Sequence, residues 1–262
     1  MAAVGRHATY PGHLRGDLRL RAVSPAAIAD RFALWFRQGR VTGVGASTLK
    51  ALRDLAAGAH WALAGRKGER GAGNGAAMRV APLAFCMDPD EPEQRTALRD
   101  VCRITHHNDE AYAGAVAVVA AVRAVTLGRW QPGDNLPAQA AEALPDTAVR
   151  DRLRAVGALD PATPVGEVGR RLGCCGYAAE SVPLALYAAQ RIGPTDFEQV
   201  VRDVIEAGGD TDTLGSITGQ VAGAWVGLGR MPQQLLQQVP EGEAILQAAR
   251  LFASWVAAGG LP

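Results

Sequence analysis

The stretch 197–227, FEQVVRDVIEAGGDTDTLGSITGQVAGAWVG, decides how this chain is read. Phe197, Val200, Val201, Val204 and Ile205 recur at three and four, the period of a helix with one apolar face. Thr195 and Glu198 form a capping-box pattern ahead of it, and Gly208-Gly209 supplies the stop. A second helix is expected directly afterwards, carrying Gly215, Gly219, Gly223 and Gly227 at every fourth position. Each such glycine costs about 1 kcal/mol of helix propensity relative to alanine, so the bare stripe predicts an unusually close neighbouring backbone. In the joint between the helices stand Asp210, Thr211, Asp212 and Thr213.

Working outward, apolar residues elsewhere also recur at three and four, and no stretch reads convincingly as a strand. The expected fold class is all-α, a single compact orthogonal helical bundle. Ser24-Pro25 fits an N-cap and first helical residue, with Ile28, Phe32, Trp35 and Phe36 on one face and Gly39 as the stop. Ser47 or Thr48 is expected to open the next helix, with Leu49, Leu52, Leu55 and Leu63 near one stripe. Residues 128–172, rich in proline and glycine, suit short helices joined by surface loops. Residues 1–24 stand apart as an atypical, poorly ordered N-terminal segment, leaving 25–262 as the helical domain.

The 262 residues are 48% hydrophobic, enough for one large domain. With 27 basic against 26 acidic side chains the formal net charge is +1, which gives no pull towards nucleic acid or an anionic membrane. The apolar runs at 111–127 and 213–229 fall short of the roughly 20 residues of a membrane span, and Arg123, Ser216, Thr218 and Gln220 interrupt them. Cys86, Cys102, Cys174 and Cys175 lack metal-site spacing, the last two reading as small apolar packing, and the first twenty residues lack a signal-peptide core. A cytoplasmic protein is the expectation.

Three places could carry chemistry. Carboxylates two apart in a turn, with a threonine hydroxyl beside them, suit a hard cation such as Mg²⁺; the alternative is that Asp210 or Asp212 merely caps the following helix. A phosphatase-like DxD reading needs a preceding strand, and the preceding segment is helical in period. In GAGNGAAMR (71–79), the Gly73-Asn74-Gly75 turn can expose backbone N–H groups before a helix, and Asn74 can both donate to and accept from a sugar. In ITHHND (104–109), His106 and His107 could serve as acid, base or ligand; only one of two adjacent side chains is expected to face a site. His7, His13 and His60 read as incidental.

Taken in order, GNGAAMR, Thr105-His106, ESVPLALYA (180–188) and GGDTDT (208–213) with its glycine-spaced helix resemble the ADP-ribosylglycohydrolase family, from about residue 25 to the C-terminus. The resemblance implies an all-helical fold around a binuclear Mg²⁺ or Mn²⁺ centre that cuts ADP-ribose from a modified side chain. It implies catalytic and metal-binding roles for Asp210 and Asp212, a metal contact from Thr213, and substrate contacts from Gly73, Asn74, Gly75, Met78 and His106. ADP-ribose or an ADP-ribosylated protein is the implied partner. The family's N-terminal GDAxG and Thr-Asp-Asp motifs are missing from residues 1–24, where Asp17 lacks the expected neighbours. Three readings therefore stand: a hydrolase whose first motifs lie upstream of Met1, a variant that binds ADP-ribose without cutting it, and a helical interaction protein.

Overall fold

The structure, a computed structural model, describes residues 23–258. The expectation for the N-terminal segment thus falls outside the described residues, apart from Val23 and Ser24. The fold is all-α. In chain order the helices are α1 (Pro25–Arg37), α2 (Ala46–Ala56), α3 (Trp61–Ala64), α4 (Pro92–Arg103), α5 (Asp109–Thr126), α6 (Leu136–Glu142) and α7 (Ala148–Gly157). They continue with α8 (Val165–Leu172), α9 (Ala178–Ala189), α10 (Phe197–Glu206), α11 (Thr211–Val226), α12 (Gln233–Gln238) and α13 (Gly242–Ala257). Two-residue strands β1 (Arg66–Lys67) and β2 (His106–His107) pair in parallel, a small departure from the strandless expectation.

The centre is formed by α5, α9 and α11, which pack on one another. Almost every residue of α9 from Ala178 to Ala189 is buried, as is most of α5 from Ala111 to Val125. Helices apolar all round belong in the middle of a protein when they are too short for a bilayer. Among the described residues no helix is long and apolar enough to cross a membrane. The short helices expected within 128–172 are α6, α7 and α8. Glu110 at the start of α5 accepts from the Ala148 and Val149 amides at 2.9 Å each, so its carboxylate caps the exposed N–H groups of α7. A smaller apolar cluster joins Ala29 and Ala33 of α1, Ala51 and Leu55 of α2, Ala64 of α3 and Ile104.

Boundary expectations shift where local hydrogen bonds compete. Ser24 caps α1 as expected, its Oγ accepting from the Ala27 amide at 3.2 Å. Helix α2 opens two or three residues earlier than Ser47 or Thr48 would have it, from Gly45, and Leu63 lies 64% exposed on α3 instead of joining the stripe. The α10 cap is Asp196, accepting from the Gln199 amide at 2.8 Å, because its carboxylate stands closer in register than the Thr195 hydroxyl.

The glycine stripe is corrected in kind. Methyl groups built on Gly215 and Gly219 would meet only the ends of Ile205 and Phe197, at 3.8 and 3.9 Å. A methyl on Gly223 would lie 2.8 Å from Met231 Cε and 3.8 Å from the Phe197 ring, so the stripe faces side chains of α10 and Met231, and among the described residues no backbone of another element lies within 4 Å of such added methyls. Tight backbone approach occurs at Gly209 instead, where φ is +76° and an added Cβ would lie 2.1 Å from the Cys174 carbonyl oxygen.

Candidate functional site

The acidic joint, the asparagine loop and the histidine strand converge. Residues 72–74 run antiparallel to 176–178: the Asn74 amide donates to the Gly176 carbonyl at 3.1 Å and the Ala178 amide to the Ala72 carbonyl at 2.9 Å. Two residues upstream on that second segment, the Cys174 carbonyl accepts from the Asp210 amide at 2.9 Å. One irregular stretch, 174–178, therefore holds the asparagine loop with one end and the acidic joint with the other. Sequence reasoning assigned Cys174 and Cys175 to packing and missed this role, which belongs to backbone carbonyls that no residue type announces. Cys175 is in fact exposed.

Asn74 is 6% exposed, and its side-chain amide donates to Ser181 Oγ at 3.0 Å and to Asp210 Oδ2 at 2.7 Å. Both amide hydrogens are thereby used, so Asn74 can offer a ligand its Oδ1 acceptor and no donor. This corrects the expectation of a two-way sugar contact. The loop's N–H groups are likewise less open than expected. The Asn74 amide is taken, and the helix anticipated from Ala76 onward is two short 3₁₀ turns, Ala77–Arg79 and Ala81–Phe85.

Asp210 stands at the N-cap position of α11, yet its side chain makes no capping hydrogen bond; it reaches across to Asn74. The capping alternative fails for Asp210. Asp212 is exposed in the first turn, with Oδ1 accepting from the Thr213 amide at 2.9 Å. Burial lifts the Asp210 carboxyl above the ordinary carboxylate range, and the hydrogen bond from Asp210 holds the Asp212 carboxyl below it. Thr213 is buried behind them, its hydroxyl 3.9 Å from Met78 Sδ, and the Met78 carbonyl accepts from Ser216 Oγ and Gln220 Nε2, pinning the loop to α11.

His106 and His107 lie on a strand, not a helix, so they point to opposite sides. His106 is 3% exposed and its ring lies on the glycines of the loop: a Cβ on Gly75 would come within 2.7 Å of His106 Cε1, and one on Gly73 within 3.1 Å of Nε2. Here the two glycines are required because an imidazole occupies the space a side chain would need. Burial, then the nearby Arg79 charge, push the imidazole down to about 3, so it is neutral at physiological pH.

A sequence model of the ADP-ribosylglycohydrolase family matches residues 10–259. The chain belongs to that family. It is similar to ADP-ribosylhydrolase ARH3 of Mus musculus, 30% identical over 253 residues that cover 84% of this chain and 68% of that protein. It is also similar to an uncharacterized protein of Archaeoglobus fulgidus, 29% identical over 212 residues, 76% of this chain and 64% of the relative. Among solved structures, an ADP-ribosylglycohydrolase-related protein complex matches with a TM-score of 0.55 at 30% sequence identity, covering 84% of this chain and 70% of that one. This member of the ADP-ribosylglycohydrolase family thus spans about two thirds of the length of the relatives it matches.

For a hard divalent cation the oxygens of Asp210, Asp212 and Thr213 are chemically suitable donors. Among the described residues no group of three or more His, Cys, Asp or Glu side chains could hold a metal ion. The acidic joint fits one side of a metal centre.

Proposed function

We propose that this protein hydrolyses an ADP-ribosyl glycosidic linkage, with Asp210, Asp212 and Thr213 holding Mg²⁺ or Mn²⁺ and Gly73, Asn74, Gly75, Met78 and His106 lining the substrate side. The observation that carries this reading is the 2.7 Å hydrogen bond from Asn74 to Asp210, which joins two stretches 136 residues apart at one point. Family membership and the similarity to ADP-ribosylhydrolase ARH3 support the substrate class.

The division of labour follows from the geometry. Asn74 aims the Asp210 carboxylate and fixes its distance from the loop, while Ser181 fixes Asn74. The bare glycines let the His106 ring lie against the loop, which puts its imidazole edge on the substrate side. A bound divalent cation would orient ribose hydroxyls and act as a Lewis acid towards charge developing at the cleaved bond. The exposed Asp212 carboxylate lies on the solvent side, where a water can enter.

A second reading, ADP-ribose binding without cleavage, is favoured by the absence of a three-ligand acidic group among the described residues. Release of ADP-ribose from ADP-ribosyl-arginine and ADP-ribosyl-serine peptides, with Mg²⁺ or with chelator, separates the two. The hydrolase reading expects metal-dependent release that falls at least ten-fold in Asp212→Ala and in Asn74→Ala. No release alongside calorimetric binding of ADP-ribose assigns the protein to the second reading. Neither release nor binding removes both.

A further inference from the structure

Arg79 leaves the 3₁₀ turn behind the asparagine loop and donates to the Gly75 carbonyl, to the Val101 carbonyl at 3.4 Å and to Thr105 Oγ1 at 2.7 Å. A guanidinium has no lone pair to offer, so Thr105 Oγ1 must be the acceptor in that contact. Thr105 is fully buried, and its hydroxyl has one proton to place. His106 Nδ1 lies 2.8 Å away, and among the described residues the hydroxyl has no other acceptor. A proton on Nδ1 would leave the hydroxyl hydrogen buried without a partner, which is costly. A bare Nδ1 satisfies it.

The ring's single proton then sits on Nε2, beside Gly73 and Gly75, where no hydrogen-bond partner is found among the described residues. Unlike Nδ1 of His107, this nitrogen is not an enclosed orphan. We infer that Arg79, acting through Thr105, is a positioning residue that locks His106 in its Nε2–H tautomer, making the imidazole a fixed neutral hydrogen-bond donor at the substrate loop. A donor held this way selects an oxygen acceptor on the ligand, such as a ribose hydroxyl, a ring ether or a phosphate oxygen. It also takes His106 out of contention as general base or metal ligand, since the lone pair of Nδ1 is already engaged. The ligand's identity rests on the function proposed above; the tautomer does not.

Nitrogen-15 NMR of the imidazoles in the full-length protein tests this, with His106→Gln identifying the signals of His106 among the five histidines. The expected spectrum shows a neutral His106 ring with protonated Nε2 and bare Nδ1, unchanged between pH 8 and pH 5. Thr105→Val, which keeps the shape and removes the hydroxyl, is expected to populate the second tautomer and raise the dissociation constant for ADP-ribose about 3- to 10-fold. Thr105→Ser is expected to restore both, and Arg79→Lys to loosen the tautomer in the same way as valine. A wild-type ring protonated at Nδ1, or a Thr105→Val ring that keeps the Nε2–H form alone, overturns the inference. Should wild-type protein fail to bind ADP-ribose, the proposed function falls while the spectrum still decides the tautomer.

Discussion

His106 shows what burial does to a single residue. The unfolded chain takes up a proton on this imidazole near pH 6.5, whereas the folded protein refuses it until about pH 3. Because the folded-state value is depressed, the unfolded state binds more protons between those limits, and stability falls as pH is lowered. The slope attributable to one such group is about 1.4 kcal/mol per pH unit. Urea unfolding of wild type between pH 6.5 and 5.0 should therefore show a loss of about 1.6 kcal/mol, the slope being half its full value at pH 6.5, that is missing in His106→Gln. Equal slopes in the two proteins would reject the account. His107 is shifted the same way by burial and Arg103, but lies nearer the surface, so His107→Gln should flatten the curve less. At this scale the sequence showed which residue types could matter, and left open which histidine would be buried. Arg79 and Ser181 went unremarked, although both stand inside quoted motifs; their importance lies in partners 26 and 107 residues away along the chain.

Among the elements, α10 and α11 were legible as helices, and what the bare face of α11 packs against was not. The glycine period located the helix, since four residues bring side chains back to one face, but period alone could not say what that face meets. At Gly215 and Gly219 it meets side chains of α10 at ordinary van der Waals distance, and at Gly223 it meets the Met231 side chain more tightly. Gly219→Ala, and Gly215→Ala separately, should accordingly stabilise the protein by about 0.5–1 kcal/mol through better helix propensity and a less flexible unfolded chain. Gly209→Ala should do the reverse, losing more than about 1 kcal/mol, because its positive φ and the Cys174 carbonyl leave no room for a Cβ. Denaturant midpoints of the three variants provide the comparison; a destabilising Gly219→Ala would mean that α10 and α11 pack more tightly than described. The start of α10 was misread by one residue because the Asp196 carboxylate offered a better cap, while α2 begins after Gly45 with no side-chain cap at all.

For the molecule as a whole, the two halves of the site come from distant parts of the chain and are held by segment 174–178, so a ligand spanning them should stabilise the entire fold. At one hundred times its dissociation constant ADP-ribose should contribute about 2.7 kcal/mol, raising the thermal midpoint by about 5–10 °C for a domain of this size. Asn74→Ala, which releases Asp210 from the loop, should reduce that shift by more than half; an undiminished shift in a scanning-fluorescence melt would count against the shared site. The sequence by itself determined the helical class, the family and the short list of acidic, asparagine and histidine residues, because helical period and ordered motifs are local properties written in residue order. Only the tertiary structure decided that Asp210 serves Asn74 instead of its own helix cap, that the glycines of the loop make room for an imidazole, and that backbone carbonyls of Cys174 and Gly176 fix the spacing. Those outcomes depend on distances between segments far apart in the chain, and a hydrogen bond or a steric exclusion exists only once folding has brought its two sides together.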